Sequence, residues 1–308
     1  MFALPAPAPA SRVSRGEDAM QGTPQRHDRA DGEGSVASGS GNYLLDPEAM
    51  LDLAEARHAE YVDNDPFPHI VIDDFFPDPE VLRRVVREFP DPEDSRWLLH
   101  EHQHSLKLAC NDLTAMGPTT LDVLLQCNAY PMTRFLERLT GIRGLIADPG
   151  YEGGGMHRIA RGGHLGVHAD FNRLDALRLD RRLNLLIYLN EEWDEAWGGH
   201  LELWDESMSR CVKRVAPRFN RIVVFSTTDK SFHGHPDALA CPPDRARCSL
   251  ALYYYTNGRP EHEASDSHST LYKDRPGEPL RESAVKHWAR RLLPPIVLDG
   301  VRALRGRG

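Results

Sequence analysis

The sequence predicts a mostly β protein, an antiparallel sandwich or barrel with helices beside it. Three observations lead there. Between about residues 150 and 257, short β-prone runs are separated by Gly, Asn, Asp and Pro rather than by helices. Helix-start signals fall ahead of that region, at Asp46-Pro47-Glu48 and Asp78-Pro79-Glu80. No internal repeat occurs at solenoid or propeller periods, which removes stacked-repeat architectures.

In chain order, residues 1–42 are rich in Pro, Gly, Ser and Ala without helical or strand periodicity. Such a segment cannot bury enough apolar surface to offset its ordering entropy, and a disordered tail is expected. Asp46, Pro47 and Glu48 supply the N-cap, first position and first-turn acid of a helix that should run to about residue 61. Residues 67–76 (FPHIVIDDFF) read as a strand ending in a charged pair. A second helix starts at Asp78, with Val81, Leu82, Val85, Val86 and Phe89 at helical spacing. Strands are expected over 164–170, 183–190, 200–204, 221–226 and 249–256. The end of the chain reads as helical and basic, with seven Lys/Arg against two acids over 281–308, interrupted at Pro294-Pro295.

Composition excludes several classes. The chain of 308 residues is 40% hydrophobic and 27% charged, enough for a sizeable core. No run of roughly 18 apolar residues exists, so no membrane span is expected. A net charge of −9 argues against nucleic acid as a partner. Cys110, Cys127, Cys211, Cys241 and Cys248 are odd in number and contain no CxxC pair, unlike a disulfide framework or a zinc finger. The N-terminus alternates Ala and Pro and lacks an apolar signal core, so a reducing cytoplasm is the expected location.

The strongest chemical pattern is His168-Ala169-Asp170, followed by Phe232-His233-Gly234-His235-Pro236 and Arg247-Cys248-Ser249. Side chains on a strand repeat every two residues, so His168 and Asp170 share a face and can hold one ion together. A histidine from a neighbouring strand, His233 or His235, would complete a two-histidine, one-carboxylate facial triad. That set leaves positions open on a non-haem Fe(II), as oxygen activation requires. Arg247 and Ser249 also share a face, where a guanidinium and a hydroxyl can bind a carboxylate. Taken singly, each element has an ordinary structural explanation; their order and spacing together favour the functional one.

Residues 168–256 resemble the 2-oxoglutarate- and Fe(II)-dependent dioxygenases, in particular their prolyl-4-hydroxylase-like branch. The resemblance rests on HAD (168–170), RRLNLLIYLNEEW (181–193), GGHLELWD (198–205), NRIVVFSTTDKSFHGHP (220–236) and RCSLALYYYT (247–256), with PFPHIVIDDFF (66–76) upstream. It implies a double-stranded β-helix, a distorted jelly roll flanked by helices, forming a catalytic domain over 43–262 and leaving 263–308 as a basic helical extension. It further implies His168, Asp170 and His233 as iron ligands and Arg247 as the residue that binds the distal carboxylate of 2-oxoglutarate. Tyr188 matches a tyrosine that hydrogen-bonds the same carboxylate, and Ser249 stands beside them. Two positions depart from the branch: His157 and Arg158 stand where relatives have a second tyrosine, and Ala251 replaces a common threonine.

The resemblance implies an Fe(II)-, 2-oxoglutarate- and O2-dependent hydroxylase of an unactivated C–H bond, releasing succinate and CO2. Because Asp170 is present rather than a small residue with room for halide, hydroxylation is favoured over halogenation. The expected substrate is amino-acid-like, peptide or prolyl, either a small molecule or part of a protein. The stretch 170–182, with four arginines, reads as a basic loop beside the site. Asn172, His164 and His200 are further pocket candidates, and Trp193 and Trp204 read as packing residues. Two alternatives are a cupin-like Zn, Mn or Fe metalloenzyme without 2-oxoglutarate, which leaves Arg247 unexplained, and a non-catalytic binding protein on the same fold.

Overall fold

The computed structural model describes residues 43–277. The expected tail over 1–42 and the basic segment from 278 onward lie outside the described residues. Helix α1 (Pro47–Asp63) begins as its capping signals require: the Asp46 carboxylate accepts from the Glu48 and Ala49 amides, and Pro47 occupies the first turn. A short strand, β1 (His69–Ile72), follows. It is shorter than the expected 67–76 because Asp74 takes a left-handed conformation just beyond it. Helix α2 (Pro79–Arg87) is capped by Asp78 and buries Val81, Leu82 and Val85. Val86, expected on the same face, is exposed; at 100° per residue it lies off the stripe.

The chain continues through β2 (Leu98–His102), β3 (Ser105–Cys110), α3 (Pro118–Cys127), α4 (Tyr130–Thr140), β4 (Ile146–Ala147), β5 (Gly155–Ala160), β6 (His164–Ala169), β7 (Arg173–Leu174) and β8 (Leu179–Tyr188). Then come β9 (Leu201–Trp204), β10 (Cys211–Val215), β11 (Arg221–Ser226), β12 (His233–His235), β13 (Ala246–Thr256) and β14 (Leu271–Tyr272). The neighbour order β1-β11-β8-β13-β5-β3-β6-β12-β9-β10 contains two four-stranded layers, β11-β8-β13-β5 and β6-β12-β9-β10. Along the sequence the chain passes back and forth between them, and its pairings are antiparallel. That winding is the double-stranded β-helix. Strand β3 pairs with both β5 and β6 and so joins the two layers.

The layer β11-β8-β13-β5 is sorted by period two. Leu183, Leu185 and Ile187 of β8 and Leu250, Leu252 and Tyr254 of β13 point outward into one core with Leu82, Leu124, Phe135 and Leu136 of the helices. The alternate residues face inward, where Tyr188, Val223 and Phe225 meet Leu201 and Leu203 of the other layer. Helices α3 and α4 and the β2–β3 hairpin were not anticipated from sequence. The helices exist because this outward apolar face must be covered.

Two expectations about extent change. The stretch 170–182 is not a basic loop: it is a hairpin of β7 with β8, and Arg181 and Arg182 are buried. Residues 263–277, assigned to a helical extension, instead carry β14, which pairs with β6, and Asn172 ties them down by accepting from the His268 amide and donating to Ser265 and Asp266.

Candidate active site

Strands β6 and β12 set His168 and His233 directly opposite each other in the ladder. Asp170 follows β6 by one residue and, at the expected spacing of two from His168, joins them: ligand atoms of all three lie within 4.8 Å of one another. Among the described residues no other such group occurs. The glycine between His233 and His235 is needed here, because a Cβ at Gly234 would lie 2.8 Å from the Leu165 and Gly166 carbonyl oxygens. Only glycine lets β12 approach β6 this closely.

Each member of the trio is oriented by a second contact. His168 Nδ1 donates to the Gly166 carbonyl at 2.8 Å and His233 Nδ1 to the Ser231 carbonyl at 2.9 Å. The proton on Nδ1 leaves each Nε2 lone pair facing Asp170, at 3.4 and 3.5 Å. Burial drives the His233 imidazolium down to about 4, so the ring is neutral and able to ligate at neutral pH. Burial alone would raise the Asp170 carboxyl, but Arg181 and the two histidines hold it well below the ordinary range. Asp170 Oδ2 accepts from Asn184 Nδ2 at 2.7 Å and from Arg181 at 3.0 Å, which leaves Oδ1 for an ion. Arg181 is itself fixed by Asn184 Oδ1 at 2.7 Å and lies between the Phe171 and Tyr253 rings. A pair of imidazoles and one carboxylate oxygen, all pre-oriented, fits a divalent first-row metal such as Fe(II).

Of the remaining predicted residues, Arg247 and Ser249 line the same cavity, and Tyr188 is hydrogen-bonded to Arg247. Arg247 of β13 is 4% exposed. Its Nε donates to the Gly199 carbonyl at 2.8 Å and its Nη2 to the Tyr188 hydroxyl at 3.1 Å. Ser249 lies across the sheet from Tyr188 and lines the cavity with Arg247. This cavity, about 310 Å³, reaches from Arg247 to His168, Asp170 and His233. His235 is also buried in its wall rather than exposed at the mouth. His164 and His200 do not line it, and Trp193 and Trp204 sit in apolar clusters as expected.

Sequence reasoning missed the β2–β3 contribution (His100, His102, Ser105 and Lys107) together with Arg181, Asn184 and Tyr272. Burial brings Lys107 down to about 8. The detectable signal was a lone lysine in SLKLAC, an otherwise apolar run flanked by His100 and His102. For Tyr272, whose ring centroid lies 5.4 Å from that of His168, a two-residue strand leaves no pattern to read.

Residues 154–255, which hold the trio and Arg247, match the family model of the 2OG-Fe(II) oxygenase superfamily. A stretch of 79 residues is 30% identical to prolyl 3-hydroxylase OGFOD1 of Mus musculus, covering 24% of this chain and 14% of that protein. Similar solved structures include a prolyl hydroxylase from Trichoplax adhaerens in complex with a hypoxia inducible factor peptide fragment (TM-score 0.48, 15% identity, 68% of this chain and 91% of that one). Another is a Pseudomonas putida prolyl-4-hydroxylase (TM-score 0.46, 17% identity, 67% and 100%). A third is HygX from Streptomyces hygroscopicus with nickel and 2-oxoglutarate bound (TM-score 0.40, 15% identity, 67% and 92%). The similarity to the 2OG-Fe(II) oxygenase superfamily thus rests on residues 154–255, the stretch that carries the trio and Arg247.

Proposed function

We propose that this protein is a 2-oxoglutarate-dependent hydroxylase in which His168, Asp170 and His233 hold Fe(II), and Arg247, Tyr188 and Ser249 hold the distal carboxylate of 2-oxoglutarate. The observation that carries the reading is the convergence of three pre-oriented ligand atoms within 4.8 Å at one end of a cavity whose wall also presents Arg247. Bound there, Fe(II) with 2-oxoglutarate and O2 supplies the oxidising chemistry, which ends in succinate, CO2 and a hydroxylated product.

The chain's own residues do the positioning. His168 and His233 offer Nε2 because the Gly166 and Ser231 carbonyls hold the other ring nitrogen. Asp170 offers Oδ1 because Arg181 and Asn184 occupy Oδ2. Arg247 is aimed by Gly199 and Tyr188 before any anion arrives, so little rotamer freedom is lost on binding. Leu186, Leu201 and Ile159 line the cavity and exclude water from the reacting centre. The substrate is amino-acid-like, peptide or prolyl; the identity with a prolyl 3-hydroxylase supports the last of these. All five cysteines are free thiols, which accords with a reducing cytoplasm.

The test is anaerobic. Adding Fe(II) and then 2-oxoglutarate should give a weak visible charge-transfer band that needs both components and is lost in Arg247→Ala. Iron binding without a band indicates a cupin-like metalloenzyme, and no iron binding indicates a non-catalytic protein on this fold.

A further inference from the structure

A second polar cluster in the cavity wall has no role in the site described above. Lys107 and Ser105 share the inward face of β3 and both line the cavity. The Ser105 hydroxyl, in a residue 1% exposed, has no hydrogen-bond partner. The same holds for both ring nitrogens of His235, which is 4% exposed. His235 lies apart, two strand spacings from Ser105 with Leu165 paired between the two. Among the described residues, no carboxylate or carbonyl accepts from the Lys107 ammonium. Unpartnered donors are rare in protein interiors, and several in one wall point to a ligand that accepts from them.

Arg247 does not serve this cluster. Ile159 pairs with Arg247, and Lys107 lies one residue before the Leu108–Arg158 pair, so the two cations flank Ile159. Their backbones are two strand spacings apart, roughly 10 Å. Arg247 is pinned toward Gly199 and Tyr188, away from β3. Lys107 instead lies beside His100, its cross-strand partner on β2. The cavity therefore has two separate places for an anion.

Charge identifies the second anion. The wall carries Lys107, Arg181 and Arg247 against Asp170 and, at the exposed rim, Glu152. Arg181 is matched by Asp170, and a divalent metal is matched by the dianion 2-oxoglutarate. Lys107 and Arg247 then face Glu152 alone, leaving one positive charge. A carboxylate balances it, whereas a phosphate monoester, at about −1.5 to −2, overshoots.

We propose that Lys107, with Ser105, seats a carboxylate of the primary substrate, so that the hydroxylated molecule is an amino acid or peptide presenting a free carboxylate to the cavity. This deepens the proposed hydroxylase function and rests on it. Lys107 donates a charge-assisted hydrogen bond and the Ser105 hydroxyl a second. Anchoring the substrate at one end fixes which C–H bond lies near the metal.

The experiment titrates the anaerobic Fe(II)–2-oxoglutarate protein calorimetrically with a probe panel. The panel comprises the free L-amino acids, L-proline included, and tripeptides ending in each of them, every probe paired with its C-terminal amide. At least one acid should bind the wild type tenfold or more tightly than its amide. Lys107→Met should abolish that preference by weakening the acid, Lys107→Arg should restore part of it, and 2-oxoglutarate affinity should stay within twofold in both. Ser105→Ala, a milder change, should weaken the same acid about threefold. Equal binding of acids and amides, no binding of any acid, or a tenfold loss of 2-oxoglutarate affinity in Lys107→Met overturns the proposal while leaving the hydroxylase reading standing. Absence of the 2-oxoglutarate chelate in the wild type removes the hydroxylase reading itself, and this inference with it.

Discussion

At the proposed metal corner of the cavity every polar side chain is already held. His168 and His233 each donate to a carbonyl, and Asp170 is gripped by Arg181 and Asn184. At the β3 corner, among the described residues, the Ser105 hydroxyl has no hydrogen-bond partner and no carboxylate or carbonyl accepts from the Lys107 ammonium. The two corners share one cavity and similar burial, so the difference is not solvent exposure. A group whose orientation the protein must guarantee is given a fixed contact; a group meant for a transient partner is left unsatisfied and pays in stability until that partner arrives.

The largest test of this contrast is to remove a member of the held corner. His233→Ala or Asp170→Ala should abolish retention of Fe(II) and all decarboxylation of 2-oxoglutarate, measured by iron content after desalting and by succinate formation. Either variant retaining full activity would falsify the ligand assignment. Next comes Arg181→Met, which keeps all three ligands but removes one of the two donors to Asp170 Oδ2. Metal affinity should fall about 10–100-fold, as for other contacts that orient a ligand, and competition with a chelator reads it directly.

A smaller effect, common to the whole cavity wall, appears with pH. His157, His233 and His235 are buried and all have values lowered from 6.5, chiefly by burial. In the unfolded chain these rings take up protons first as pH falls through about 6.5. The unfolded state then binds more protons than the native one, and stability drops toward pH 4 by up to about 1.4 kcal/mol per pH unit for each suppressed ring. The urea midpoint of the metal-free protein should therefore be lower at pH 5.5 than at pH 7.5. An equal midpoint would mean the rings are not buried neutral. The smallest expected effect is Ser105→Ala without ligand: removing a buried hydroxyl that has no partner should raise stability, by about 1 kcal/mol.

Legibility from sequence followed the same division. The trio could be found because two of its members are spaced by two on one strand and the third lies in HGHP, where Gly234 permits close approach. Arg247 and Tyr188 were readable through the resemblance, and their mutual hydrogen bond is what the structure adds. The stretch containing Arg181 read as a solvated basic loop, because nothing local shows that two aromatic rings and a carboxylate await that guanidinium. The β2–β3 hairpin was missed because its register depends on β5 and β6, far along the chain. Helices α3 and α4 carry Pro118 and Pro131 in their first turns, a start signal that went unused.

Strand β13 has a genetic consequence. Its even-numbered residues, Cys248, Leu250, Leu252 and Tyr254, belong to the core beneath the helices, while Arg247, Ser249 and Tyr253 face the cavity. A saturation mutagenesis scan of this segment scored separately for abundance and for turnover should give two interleaved stripes with a repeat of two. Substitutions at even positions, such as Leu252→Ala at about 2–5 kcal/mol, should lower the amount of folded protein while surviving molecules keep their specific activity. Changes at 247 and 249 should leave abundance nearly intact and remove turnover. Over eight consecutive codons, one strand would then record two kinds of selection at once.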